Sequence, residues 1–251
     1  MSTGSLKGKV ALITGGSTGI GRASAEVLAK RGAKVVINYL RSVESDQEAK
    51  TTIEKNGGEC ILVQADVTQK ADVEKLVQAG LDAFGQIDIL VNNAGAALKR
   101  SAFLDIDEAL WDATFALNVK SILLVSQAVL KHMVPKKNGK IINISSVAAR
   151  LGGPGESIHY ASAKGAVSTM TVGMAREFAP HGILVNGIAP GLILTPFQEK
   201  YSTSERIDRI IASTPVQRAG TAEEVAELVA YLSSDAANFI SGEIITISGG
   251  R

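Results

Sequence analysis

A phenol and an ammonium stand four positions apart in the run His159-Tyr160-Ala161-Ser162-Ala163-Lys164. If the run is helical, both side chains leave one face, a turn apart. The positive charge favours phenolate, so Lys164 should lower the Tyr160 pKa towards working pH. Such a pair can deliver a proton to a carbonyl oxygen or take one from an alcohol. Ser145-Ser146 ends an apolar run upstream, where a serine hydroxyl can hydrogen-bond that same oxygen. Asn118 lies in the apolar helical stretch Ala116-Leu117-Asn118-Val119-Lys120 and needs partners if buried. It is a candidate to hold a water linking Lys164 to solvent, and equally a satisfied core asparagine.

A second set of residues fits a nucleotide. Thr14-Gly15-Gly16-Ser17-Thr18-Gly19-Ile20-Gly21 follows an apolar run and opens an amphipathic one. Gly15 suits a tight turn, Gly19 a close backbone approach to a pyrophosphate, and Gly21 close packing of helix on strand. Ser17, Thr18 and Ile20 fill the turn at the helix N-terminus, whose free N–H groups attract phosphate. The next strand ends in Asn38-Tyr39-Leu40-Arg41-Ser42, without the acid that holds the ribose hydroxyls of NAD. Arg41 can pair with a 2′-phosphate, and Ser42 can add a hydrogen bond. This predicts NADP(H) ahead of NAD(H), with Tyr39 beside the site. Asp66-Val67 ends the third strand, where Asp66 either accepts from an adenine amine or caps the next helix. Asn93-Ala94-Gly95 ends the fourth, with Gly95 open to close approach by a ligand.

These positions need a scaffold of alternating strands and helices. Strands are expected at Lys9–Thr14, Lys34–Tyr39, Cys60–Ala65, Ile87–Val91, Lys140–Ile144, Ile183–Ile188 and Glu243–Ile247. Helices are expected at Gly19–Arg31, Ser42–Lys55, Gln69–Phe84, Ile106–Met133, Ile158–Phe178 and Thr221–Leu232. The strands read as continuous apolar runs, as they do when buried on both faces. The alternation predicts one α/β domain over residues 1–251, a doubly wound parallel sheet with helices on both faces. Residues 1–7 are expected to be flexible, and 191–214 to form a mobile insertion.

Composition narrows the partners. The chain is 45% hydrophobic and 20% charged, with a formal net charge of +1. No basic excess points to nucleic acid or a membrane surface. No apolar run reads as a membrane span or secretory signal, so a cytoplasmic protein is expected. Cys60 is the only cysteine, and its apolar strand setting marks it as core. His132, His159 and His181 have no metal-ligand spacing.

Together these motifs resemble a classical short-chain dehydrogenase/reductase from about Lys7 to Gly250. The resemblance rests on Thr14 to Gly21, Asp66, Asn92 to Gly95, Asn118, Ser146, Tyr160, Lys164 and Pro190-Gly191. It implies a seven-stranded Rossmann-type sheet and a catalytic tetrad of Asn118, Ser146, Tyr160 and Lys164. It also implies that Lys164 holds the nicotinamide ribose. The segment Ile188 to Thr195, with Pro190, Gly191 and Ile193, would line the nicotinamide, with Thr195 near its carboxamide. Residues beyond Pro196 would form a substrate lid. Oligomers of this family, tetramers ahead of dimers, form through the two long helices and the C-terminal segment. Within the family the chain resembles 3-oxoacyl-acyl-carrier-protein reductases, with sugar and polyol dehydrogenases next. Lys136 and Lys137 fall where such reductases carry a docking base for an acidic carrier protein, and read equally as a solvated turn before Asn138-Gly139; at the second docking position His181 stands in place of arginine. Glu156, Ser157, His159 and Gln198 are the polar groups available to a sugar. Ser146 and Tyr160 stand one position further apart than in many members, the extra residue falling in Leu151–Ser157. A non-catalytic cofactor sensor is the alternative of another class; retention of Tyr160 and Lys164 argues against it.

Overall fold

The computed structural model describes residues 5–41 and 44–251. Seven strands form one sheet in the order β3-β2-β1-β4-β5-β6-β7, and every pairing among the described residues is parallel. They are β1 (Val10–Ile13), β2 (Lys34–Tyr39), β3 (Cys60–Gln64), β4 (Ile89–Asn92), β5 (Gly139–Ile144), β6 (Ile183–Pro190) and β7 (Ile244–Ile247). The Rossmann-type doubly wound fold expected from the alternation is present. Order reverses between β1 and β4, and a crevice opens at the carboxyl ends of strands at such a switch point.

The first helices are α1 (Gly19–Lys30), α2 (Glu44–Lys55) and α3 (Lys70–Phe84). The expected long helix is a stack: α4 (Glu108–Phe115), a π turn (Ala116–Lys120) and α5 (Ser121–Lys136). Two apolar clusters cover the two faces of the sheet. One joins Ala25 and Leu28 of α1 and Val225 and Val229 of α10 (Ala222–Ser233) to Ile13, Val35 and Ile37. The other joins Leu76 of α3 and Val125, Val129 and Met133 of α5 to Leu12, Val36 and Leu90. By length and composition the stack Glu108–Lys136 could cross a bilayer, a property the residue-by-residue reading missed. Its buried Val125, Val129 and Met133 instead fasten it to the sheet.

Three other expectations need correction. Leu6 is 2% exposed and its N–H donates to the Arg31 carbonyl at 2.8 Å, so order begins before residue 7. A short helix missed by the sequence reading, α6 (Ala148–Leu151), follows Ser146; α7 (Ile158–Phe178) carries Tyr160. The insertion after β6 folds into α8 (Pro196–Tyr201) and α9 (Ser204–Ala212), with Thr203 capping α9 through the Arg206 N–H. Burial pushes the Cys60 thiol up to about 11, which keeps it protonated in the core.

Candidate active site

A cleft of about 650 Å³ opens at the carboxyl ends of the strands. Its lining includes Gly15, Thr18, Gly19 and Ile20 of the glycine turn together with Ser146, Tyr160, Lys164, Gly95, Pro190, Gly191, Ile193 and Thr195. Gly15 and Gly19 have φ of +58° and +53°, a region that L side chains rarely adopt. A Cβ on Gly21 would stand 2.2 Å from the Gly15 carbonyl oxygen, so only glycine fits there. Thr18 precedes α1 with an extended backbone, and no side chain caps the helix. No acid stands in its first turn, so its N–H groups and positive dipole end are open to an anion.

Thr14 and Asn93, already singled out in the sequence, hold this turn in place together with Asn38, which was not. Asn38 Oδ1 accepts from the Gly15 N–H at 3.2 Å, and its Nδ2 donates to the Ala65 carbonyl at 3.0 Å. Thr14 Oγ1 accepts from the N–H groups of Asn93 and Ala94, each at 3.0 Å. Asn93 Nδ2 returns bonds to the carbonyls of Thr14 (3.0 Å) and Gly15 (2.8 Å). Asn93 therefore ties β4 to the turn after β1. A polar residue at the end of a buried strand was the signal available in the sequence.

The other nucleotide candidates lie outside the cleft's lining. Arg41 is exposed just after β2, and Tyr39 is partly buried at the strand end. Ser42 lies outside the described residues. Ser17 is 9% exposed beneath the turn. Asp66 Oδ1 accepts from both the N–H (2.9 Å) and the hydroxyl (2.7 Å) of Thr68, so it shapes the turn before α3 and does not cap that helix, whose N-cap position is Gln69. Val67 is buried. Thr195 lies over the glycine turn, its Cβ 3.2 Å from where a Gly19 Cβ would be.

The proposed catalytic side chains converge on the cleft wall. Ser145 and Ser146 part company. The Ser145 hydroxyl is 3.0 Å from the Lys164 carbonyl and 2.9 Å from Ser168 Oγ, contacts that fix α7 to β5. Ser146 Oγ accepts from the Ala148 N–H at 3.1 Å and stands beside Tyr160. Lys164 Nζ donates to the Ile144 carbonyl at 2.8 Å and lies 5.7 Å from the centre of the Tyr160 ring. Asn118 sits in the π turn, where the Ser121 N–H reaches back five residues to the Ala116 carbonyl. Such turns mark functional sites more often than their rarity suggests. Its Nδ2 donates to the carbonyls of Ala96 (2.8 Å) and Thr114 (2.9 Å). Its Oδ1 is buried without a partner among the described residues. A Cβ on Gly95 would stand 2.6 Å from that oxygen and 3.0 Å from Lys164 Nζ, so both atoms face one spot.

The expected effect of Lys164 on Tyr160 is not what this geometry gives. Burial pushes the phenol up to about 12, outweighing the opposing pull of Ser146 and the Arg100 charge. Burial also pulls Lys164 down to about 8. Ketone reduction uses the protonated phenol, present at every pH below about 12. The alkaline limb of reductive kcat/KM should then report loss of the Lys164 ammonium and begin near pH 8. A profile flat to about pH 10 would show that Lys164 stays charged in the free enzyme.

Of the groups considered for a sugar, Glu156 and His159 are already engaged. Both Glu156 carboxylate oxygens are held by arginines, Arg100, Arg206 and Arg209. His159 is fully buried, its Nε2 3.1 Å from the Ala97 carbonyl and 3.0 Å from that of Lys99. Ser157 and Gln198 do line the cleft. Lys136 and Lys137 precede β5, so they lie at the end of the parallel sheet opposite the cleft.

A family model described as enoyl-(acyl carrier protein) reductase matches residues 15–251. The 3-oxoacyl-[acyl-carrier-protein] reductase of Synechocystis sp. is 40% identical over 246 residues, 98% of this chain and 97% of the relative. The gluconate 5-dehydrogenase of Gluconobacter oxydans is 39% identical over 247 residues, 98% and 95% of the two chains. The crystal structure of a short-chain type dehydrogenase/reductase from Mycobacterium marinum superposes with a TM-score of 0.93 at 34% identity, covering 98% and 96% of the chains. With the fold and cleft described above, the chain belongs to the classical short-chain dehydrogenase/reductase family. It is an oxidoreductase of CH–OH and carbonyl groups that binds a nucleotide cofactor.

Proposed function

We propose that this enzyme interconverts a small ketone and its secondary alcohol, with NADP(H) as cofactor and Tyr160 as the acid/base. The observation that carries the reading is the meeting of Ser146, Tyr160 and Lys164 on one wall of the cleft that begins at the glycine turn. The cofactor, when bound, supplies or accepts the hydride. Its pyrophosphate fits the turn Gly15–Gly21 and the open end of α1, and Lys164 is placed for its nicotinamide ribose. Ser146 hydrogen-bonds the substrate oxygen, and Tyr160 gives it a proton in reduction or takes one in oxidation. Asn118 Oδ1 and Lys164 Nζ, facing one spot, would share the water that refills the tyrosine. The test is nicotinamide absorbance during turnover with a panel of ketones, diketones, sugars, polyols and a 3-oxoacyl thioester. No turnover across that panel, with cofactor bound, would favour a sensor.

NADP(H) over NAD(H) rests on Arg41 and on the lack of an acid after β2. A charge-assisted arginine–phosphate contact contributes about 1.5–3 kcal/mol. Arg41→Ala is therefore expected to weaken NADPH at least about tenfold while changing NADH less than about twofold. Fluorescence titration of both cofactors checks this, and equal losses would remove the phosphate role.

A 3-oxoacyl thioester on an acyl-carrier protein is a second reading, favoured by the 40% identity to the Synechocystis reductase. The position of Lys136 and Lys137 at the far end of the sheet speaks against carrier docking on them beside this protomer's cleft. The enzyme would work as a homo-oligomer, a tetramer ahead of a dimer. Leu104 in the turn before α4, Trp111 and Leu123 along the α4–α5 stack, and Phe239 before β7 expose large apolar surfaces of the kind that pack between subunits.

A further inference from the structure

The loop before Tyr160 carries Glu156, and the lid turns two arginines towards it. Glu156 Oε2 accepts from Arg100 Nη1 at 3.1 Å and from Arg206 Nε at 2.7 Å; Oε1 accepts from Arg209 Nη2 at 2.8 Å. Arg206 and Arg209 belong to α9, and Arg100 to the segment after β4. Arg100 is further fixed by the Tyr201 carbonyl and by Ser202 Oγ at 3.2 Å; Arg206 also donates to Ser202 Oγ, at 3.1 Å. All four ionic side chains line the cleft with Tyr160 and Phe197.

The charges do not balance. Three guanidiniums face one carboxylate, and the Arg100, Arg206 and Glu156 side chains are only 23%, 20% and 28% exposed. Each guanidinium has five N–H donors, far more than two carboxylate oxygens can accept. Like charges brought together out of bulk water destabilise one another, and a second anion would relieve that repulsion. The surplus shares the cleft with Ser146 and Tyr160, and the Arg100 charge is close enough to act on the phenol. Two elements that are distant in sequence supply it, α9 and the segment after β4.

We propose that Arg100, Arg206 and Arg209 form an anion subsite for the substrate, which is a compact hydroxy or keto acid whose carboxylate takes the donors that Glu156 leaves over. This rests on the carbonyl–alcohol reading above. In the oxidative direction the alcohol carbon would give up a hydride, for which bound NADP⁺ would be the acceptor, and its hydroxyl would give a proton to Tyr160 reacting as the phenolate. A carbonyl forms, and the carboxylate is unchanged. Glu156 holds the arginines apart in the free enzyme and competes with the substrate for them.

Matched pairs test this in the full-length enzyme: acetoacetate and levulinate against their methyl esters, and 5-ketogluconate against fructose. NADPH oxidation gives kcat and KM; calorimetry gives binding of each acid and ester to the protein–NADP⁺ complex. Wild type should favour acids over neutral partners by at least about tenfold, mainly in KM or Kd, one charge-assisted contact's worth. Arg209→Ala, the most exposed of the three substitutions, should reduce that preference about tenfold. Glu156→Gln should tighten acid binding, because it removes the competing carboxylate. A cluster that only latched the lid would weaken acid and ester alike in both variants. Equal binding of acids and esters, no acid binding, or weaker acid binding in Glu156→Gln would each overturn the proposal. If acids bind preferentially but nothing in the panel is reduced, the subsite stands and the carbonyl chemistry fails.

Discussion

Tyr160→Phe is expected to lower kcat by about 10²–10⁴ and leave NADPH affinity within about twofold of wild type. The substitution removes one oxygen and keeps the ring that packs 6.2 Å from Phe197, centre to centre. The phenol is the proton donor at the cleft wall that Ser146 adjoins and the Arg100 charge influences. Without it, bulk water must protonate the alkoxide as it forms, in a cleft where burial dominates the electrostatics. Steady-state absorbance with fluorescence titration separates the two effects. Turnover within about fivefold of wild type would place the proton donor on another group. A parallel loss of NADPH binding would make Tyr160 a structural residue.

Gly21→Ala should act on the cofactor and the fold together. The new methyl would meet the Gly15 carbonyl oxygen at 2.2 Å and Asn93 Nδ2 at 2.5 Å. Neither can yield cheaply. Gly15 belongs to the turn, and Asn93 Nδ2 is hydrogen-bonded to the carbonyls of both Thr14 and Gly15. Overpacking of this kind costs about 1–3 kcal/mol, which in a chain of this size lowers Tm by roughly 2–12 °C. Displacing the turn also moves the N–H groups offered to phosphate. NADPH affinity is therefore expected to fall at least about tenfold, beyond what the loss of stability explains. Thermal melts with and without NADPH measure both quantities. A normal cofactor-induced rise in Tm would show that the turn tolerates the methyl.

The strands and the two motifs of the cleft were legible because each has a local signature. Continuous apolar runs mark buried parallel strands, and Gly15, Gly19 and Gly21 stand where backbone conformation or contact excludes a side chain. Helical spacing put Tyr160 and Lys164 on one face, and their weight as a pair came from the glycine turn and the serine pair around them. What escaped the sequence depends on contacts between distant segments. Asn38 reaches from β2 to both Gly15 and Ala65, a role no neighbouring residue announces. The family resemblance had favoured Ser146 over Ser145, and α7 supplies a physical reason the sequence lacked, since Ser168 on that helix engages Ser145. Arg100 carries no signal in the sequence, and Glu156, 56 positions away, read as a polar group available to a sugar; only the fold brings Arg100 and Arg206 to its carboxylate. The lid's two helices are only six and nine residues long and are split at Ser202-Thr203, so neither runs far enough to stand out as a helix in the sequence. The pKa relation within the Tyr160–Lys164 pair was misjudged for the same reason. Spacing reveals proximity, whereas burial, which here dominates both groups, is a property of the assembled site.

The π turn around Asn118 has a consequence for how this chain can change over evolutionary time. A single extra residue accommodated in one wide turn leaves the helical segments on either side in phase with each other. Val125, Val129 and Met133 keep facing the sheet whether or not that residue is present. Loss of one residue from Ala116–Lys120 would close the wide turn into regular α-helix and preserve the core. It would also swing the carboxamide away from Lys164. Descendants that abandon catalysis therefore have a short genetic route, one codon long, that leaves a well-folded nucleotide-binding protein behind.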